Sequence, residues 1–168
     1  MPNTTPTYGW PWPLGTDRVM DGDDAMGNLA KAVEATLKLH PGFTQQQPGA
    51  TFAVPQGAVA AVPGMSLAIT TSALEFWLAL AFVDFSITAA NVGLIRAELN
   101  MDNSVARSAN WQPDAAAATG RNTIALSGVI GGQVAIGAHT LEVRVSRSGA
   151  GTVNVNTNSS IALVRFPR

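Results

Sequence analysis

The 168-residue chain contains no cysteine, which excludes a disulfide framework, a thiolate metal site and a cysteine nucleophile, and leaves the redox compartment unread. Charge is scarce as well. Charged residues are 12% of the chain, about half of the ~25% usual in soluble proteins. Ten basic residues oppose eleven acidic ones for a net charge of -1, so no electrostatic footprint exists for a phosphate backbone, and no nucleic-acid partner is expected. Histidine occurs twice, as His40 and His139, and neither has a ligand-type neighbour at zinc spacing. No run approaches the ~20 apolar residues that span a bilayer. The most apolar one, Phe76 to Val83, is closed by Glu75 and Asp84, so no membrane insertion is expected. The N-terminus lacks the basic and apolar regions of a secretory signal, so the protein is expected to stay in the cytosol of the cell that makes it.

What the chain does have is 46% hydrophobic residues with few surface charges. That balance is too apolar for disorder and implies that much of the outer surface is covered, most simply by further copies of the chain.

Residues 1–20 interleave Pro2, Pro6, Pro11 and Pro13 with Tyr8, Trp10 and Trp12. Proline fixes φ and removes a donor, so this segment reads as an extended arm. Tyr8, Trp10 and Trp12 alternate with Gly9, Pro11 and Pro13, which turns the rings to one side and makes Tyr8, Trp10, Pro11, Trp12 and Pro13 a docking arm. The alternative is a lid of rings folded over the chain's own core.

Residues 21–43 hold one amphipathic helix, about Asp23 to Leu39, with Met26, Leu29, Val33 and Leu37 at helical spacing. Asp21, Asp23 and Asp24 supply N-cap candidates, and Pro41-Gly42 stops it. The aspartates lack the alternating ligands and late glutamate of a calcium loop, so capping is the better account. This helix either packs against the rest of the chain or self-associates.

Residues 44–50, with Gln45-Gln46-Gln47-Pro48-Gly49, read as a linker. From 51 to 168 short alternating runs separated by Gly, Asn and Pro predict an antiparallel β-sandwich or barrel. Leu141, Val143 and Val145 alternate with polar residues, as do Val153 and Val155. With the run from Ile161 to Phe166 they predict a three-stranded meander, its first turn a hairpin at Gly149-Ala150-Gly151. Val92, Leu94, Arg96 and Glu98 oppose Ile95, Ala97 and Leu99, and Ile124, Leu126 and Ile130 mark another strand. Two runs, 74–83 and 161–164, are apolar on both faces and must be covered twice. They nominate Trp77, Leu78, Phe82, Ile161, Val164 and Phe166, with Met26, Leu29 and Val33 of the helix, as an oligomer interface. The polar stretch 100–120 supplies Arg107 and Trp111 as surface-contact candidates on loops.

No Gly-x-Ser-x-Gly elbow occurs, His139 reads as a turn residue bonding locally, and sequence spacing cannot test a glycosidase carboxylate pair. Binding without turnover, with no cofactor and no metal, is the expectation.

Tyr8-Gly9-Trp10-Pro11-Trp12-Pro13, Thr16-Asp17 and Asp21-Gly22-Asp23-Asp24-Ala25-Met26-Gly27-Asn28-Leu29-Ala30 together resemble the start of tail-fibre and minor tail proteins of actinobacteriophages. Residues 137–145, 149–155 and 158–167 look like the last three strands of their trimeric jelly-roll heads. The resemblance covers about 60 residues and implies a mainly β, TNF-like jelly-roll head behind an arm and a short helix. It further implies a homotrimer, attachment to other virion proteins of tail or capsid by the N-terminus, a head displayed toward a host-surface glycan, and assembly into virions in the host cytoplasm. The chain departs from such relatives in having no shaft between Leu39 and Thr51. The rivals are a capsid decoration protein or head fibre, a soluble carbohydrate-binding module stacking sugars on Trp10, Trp12 and Trp111, and a depolymerase.

Overall fold

The computed structural model describes residues 3–4, 11–12, 28–33 and 42–167. The chain divides into two units, essentially Met1–His40 and Pro41–Phe166. In the first, β1 (Asn3–Thr4) and β2 (Pro11–Trp12) pair antiparallel, Asn3 opposite Trp12 and Thr4 opposite Pro11. Residues 28–33 are helical, with Leu29, Ala32 and Val33 half-buried along one side. Tyr8, Trp10, Pro13, Met26, the aspartate cluster and His40 lie outside the described residues.

The second unit is a mainly β, antiparallel jelly roll. One sheet has the order β5–β10–β7–β8, formed by Ala60–Thr71, Gly137–Arg147, Ile95–Met101 and Ser104–Trp111. The other runs β3–β12–β6, formed by Gly42–Gln46, Ser160–Pro167 and Glu75–Ile87, with β9 (Gly120–Val134) on the far edge of β6. Short β11 (Val153–Val155) pairs with the end of β6 and carries β4 (Phe52–Ala53). Strands pleat, so alternate side chains point to opposite faces. Between the sheets lie Trp77, Ala79, Ala81, Val83 and Phe85 of β6, Leu141, Val143 and Val145 of β10, Ile95, Ala97 and Leu99 of β7, and Ile161 and Leu163 of β12, all fully buried. Ile124, Leu126 and Ile130 of β9 join this core.

Several local expectations are corrected. The last three strands are not a meander: β10 pairs with β5 and β7, while β11 and β12 belong to the opposite sheet. A jelly roll sends successive strands across the sandwich, and alternation within a strand carries no information about which sheet it joins. Gly149-Ala150-Gly151 is therefore a crossing between sheets and not a hairpin. Gly42–Gln46, partly inside the expected linker, is β3, paired with β12 from Arg165 opposite Gly42 to Ile161 opposite Gln46. The stretch 100–120 is not one loop. Asp102 and Asn103, both at positive φ, make a two-residue turn between β7 and β8, a geometry that favours Asp and Asn. The strand expected from Val92 begins at Ile95; Val92 is buried in the preceding loop and Leu94 is exposed there.

The crossing requires its glycines because two backbones touch. Gly149 N–H donates to Val92 O and Gly151 N–H to Asn91 O, both at 2.9 Å. A Cβ on Gly151 would meet Ala90 O at 1.9 Å. Gly151→Ala should lower stability by about 1–3 kcal/mol or more, the usual cost of forcing atoms into a packed site. Gly49, whose Cβ would meet nothing within 4 Å, should accept alanine within about 0.5 kcal/mol. Urea denaturation of both variants checks the pair.

Candidate functional site

The two sheets turn opposite chemistry outward. On the outer side of β6 stand Phe76, Leu78, Leu80 and Phe82, alternating with the core residues Trp77 to Val83. Register extends this row across the sheet. Leu78 faces Val129, Leu80 faces Ser127 and Phe82 faces Ala125 on β9. Val164 of β12 faces Phe43 of β3, and Ala162 faces Gln45. Phe43 is 65% exposed, Val129 58% and Phe82 48%, while Leu78, Leu80 and Val164 are half-buried among these neighbours. Four strands about 4.8 Å apart and four alternating positions make a plane of roughly 500 Å². The largest apolar patch that a typical monomer exposes is about 300–600 Å².

At one end the row turns polar. The Asp84 carboxylate accepts from Arg121 Nε at 2.9 Å and from Arg121 Nη2. The guanidinium holds the Asp84 carboxyl below its usual range. Because the pair is internal to one chain, the apolar face carries no uncompensated charge among its described residues.

The β5–β10–β7–β8 sheet turns a different row outward. Arg96 bonds Glu98 at 2.8 Å, Arg144 bonds Glu142 and Asn103 at 2.6 Å each, and Ser66, Thr140 and Ser146 fill positions beside them. This is a polar face laced with ion pairs, on which Arg96 and Thr140 are exposed while Glu98 and Asn100 are buried.

Of the expected interface set, Leu78, Phe82, Val164 and Phe166 fall on the apolar outer face. Trp77 and Ile161 do not: both are fully buried in the chain's own core, because the pleat sends odd-numbered positions of these two runs inward. Leu29 and Val33 belong to the first unit. Phe43, Phe76, Leu80 and Val129 were missed. Asp84 and Ser86, polar on the even-numbered row of β6, were the signal that this row faces outward.

Arg107 and Trp111 point toward the inside of the sandwich, since they pair with the core residues Leu99 and Ile95. Trp111 is half-buried, its ring 6.5 Å from Phe85, so it belongs to the core margin and not to a loop. Arg107 remains exposed and lies over Gly128 of β9, whose Cβ would come within 2.7 Å of Arg107 Nε.

The other end of the sandwich is closed by a polar cluster that joins residues from three strands and two turns. Glu75 accepts from Arg165 Nη2 at 2.6 Å and from Trp77 Nε1 at 2.8 Å. His139 stands edge-on to Trp77, with ring centres 5.6 Å apart. Its Nδ1 lies 2.8 Å from Asp102 Oδ2 and its Nε2 2.9 Å from Ala135 O. Both partners are acceptors, so the ring donates twice, as an imidazolium. His139 thus sits in a strand, bonded to a residue 37 positions away as well as to a near one, rather than bonding only locally in a turn.

Among the described residues no group of three or more metal-ligating side chains gathers, and no helix is long and apolar enough to cross a membrane.

No protein-family model matches the chain, and no curated protein matches it in sequence. Solved structures do match. Eiger TNF from S. frugiperda superposes with a TM-score of 0.54 at 13% identity, over 74% of this chain and 91% of that one. A carbohydrate-binding module, CBM36 in complex with calcium and xylotriose, aligns at a TM-score of 0.38 and 14% identity over 70% and 97%. An infectious bursal disease virus (Gt strain) protein aligns at 0.44 and 13% over 74% of this chain, which spans 32% of that one. The TNF match establishes the jelly-roll fold and nothing narrower.

The polar cluster generates a pH dependence. The bond to Asp102, and then that to Ala135 O, raise the His139 pKa above its ordinary 6.5. The stabilisation is complete below 6.5 and is lost as pH rises through the higher folded value. Glu75, held down chiefly by its bond to Arg165 from an ordinary 4.5, and Asp102, held down chiefly by His139 from 3.8, contribute stability that is lost as pH falls. Thermal stability should peak between pH 4.5 and 6.5 and decline toward pH 8. In His139→Gln the alkaline decline should flatten, as read by melting temperature across that range.

Proposed function

We propose that the chain is a bacteriophage virion structural protein, a homotrimeric tail-fibre or minor tail protein that acts by binding and not by turnover. Its N-terminal arm attaches it to the particle, and its jelly-roll head is displayed for contact with the host surface. The observation that carries this reading is the unequal pair of outer faces. An apolar plane of a size that is often functional, with its only described ion pair internally neutralised, suits an identical chain, which meets it without charge repulsion. The other sheet turns a polar, ion-paired row outward, with Arg96 and Thr140 exposed. Three heads on one particle make weak single contacts add to firm attachment. The separate N-terminal unit and the resemblance of its proline-tryptophan segment to fibre starts support the docking role. If the same assembly sits on the capsid, the protein is a decoration protein or head fibre, and antibody labelling of whole particles distinguishes the two.

Light scattering tests the assembly. The expected mass is three times that of the chain, and Leu80→Glu, which alters only the outer row, should give a folded monomer with an unchanged β spectrum by circular dichroism. A monomeric wild-type chain, or a Leu80→Glu trimer, overturns the interface.

Deleting residues 1–20 should leave the trimer intact and abolish incorporation into particles, scored by immunoblot of purified virions. Incorporation of the deletion variant overturns the docking arm.

A further inference from the structure

Where β10 ends, beside the loop that leads into β7, a cavity of about 180 Å³ is lined by Gly57, Leu94, Arg96, Ser146, Arg147 and Ser148. It lies at the loop end of the ionic sheet, away from the apolar face, with Ser146 directly opposite Arg96 in the register. Roughly 300–1,000 Å³ is usual for a pocket that encloses a whole drug-sized molecule. This one fits a single functional group on a larger ligand.

The character of the cavity comes from Arg147. Its guanidinium is held by two backbone carbonyls, Nε donating to Val54 O at 2.8 Å and Nη1 to Gly149 O. The backbone of Arg147 is tied in turn, its N–H to Pro55 O and its C=O from Gly57 N–H. Carbonyls orient a guanidinium but do not cancel its charge. Among the described residues Arg147 has no carboxylate partner, although it is half-buried, where a charge without a counter-ion is costly. Its neighbour Arg96 spends Nε on Glu98, at 2.8 Å. Ser148 Oγ already accepts from Leu94 N–H at 2.8 Å, so its own hydrogen remains to be donated. Two arginines and two serines therefore line the space, and no acidic residue does.

We propose that this cavity is a binding site for a small oxyanion, the carboxylate of an acidic saccharide or a phosphate group. Charged acceptors bind guanidinium and hydroxyl donors more strongly than neutral ones do, and a planar guanidinium reads two oxygens at once. The geometry also explains why Arg147 is braced by carbonyls rather than paired with an acid: the group is held in place with its charge still available. The site does not depend on the trimer, since it is built within one chain on the other sheet.

Calorimetric titration of the full chain with glucuronate, inorganic phosphate and glucose tests it. At least one oxyanion should bind, with a Kd on the order of 1 mM at low salt, and glucose should not. Binding of glucuronate alone assigns an acidic sugar; binding of phosphate alone assigns a phosphate group; binding of both assigns the shared charge. Ser146→Glu, which places a carboxylate beside Arg96 on an outward position, should weaken binding at least tenfold at an unchanged melting temperature. Arg147→Gln should also abolish binding, with some loss of stability because it gives up its grip on the Val54 and Gly149 carbonyls. No binding of either oxyanion at about 10 mM, glucose binding as well as glucuronate does, or undiminished binding by Ser146→Glu overturns the site.

Discussion

Strand β6 is apolar at every position from Phe76 to Val83, and the pleat divides that run into two rows with different tasks. Trp77, Ala79, Ala81 and Val83 fill the space between the sheets, while Phe76, Leu78, Leu80 and Phe82 stand outward. A shift of one residue in its pairing would exchange the rows and bring Asp84 and Ser86 into the core. The register along β9, held with little interruption from Glu75 opposite Val134 to Ile87 opposite Gly120, fixes the choice. The two alanines help decide it. Between Trp77 and Phe85 the inner row holds small side chains where the two sheets approach, whereas the outer row holds large ones throughout.

The polar cluster at one end of the sandwich follows from the same parity. Glu75, Arg165 and His139 lie on the inward rows of β6, β12 and β10, at the points where those rows leave the apolar core. Their charges are tolerated because each is matched: the carboxylate by a guanidinium and an indole N–H, the imidazole by a carboxylate and a carbonyl. Trp77 joins the two regimes, with its ring in the core and its N–H on Glu75. The Asp102-Asn103 turn takes part as well, since Asp102 receives both His139 and the Thr140 N–H.

The two outer faces and the oxyanion cavity make a consistent division of labour within the head. The apolar sheet face is the one that the proposed trimer buries. The other sheet face is polar, with internally paired Arg96–Glu98 and Arg144–Glu142. At the edge of that second face Arg147 stands out, because two backbone carbonyls, of Val54 and Gly149, brace its guanidinium while it is half-buried. Arg107, named from the polar stretch 100–120 as a surface-contact candidate, closes the seam between β8 and β9 by lying over Gly128.

The sequence by itself determined the class of the molecule: low charge, no cysteine, short alternating runs and turn residues leave an antiparallel sandwich as the economical fold, and two-sided apolar runs demand cover on both sides. It also marked Leu78, Phe82, Val164 and Phe166, together with Trp77 and Ile161, as members of runs apolar on both faces. Only the tertiary structure decided which row faces inward, which sheet each strand joins, and that Gly42–Gln46 is a strand. Alternation defines two faces but does not name the buried one when both are apolar, so Trp77 and Ile161 were indistinguishable from Phe76 and Ala162. Sheet membership depends on pairing between distant segments, which no local pattern records. The same holds for the cavity: Arg147 acquires its meaning from Val54, Leu94 and Gly149, and their convergence exists only once the strands have crossed the sandwich.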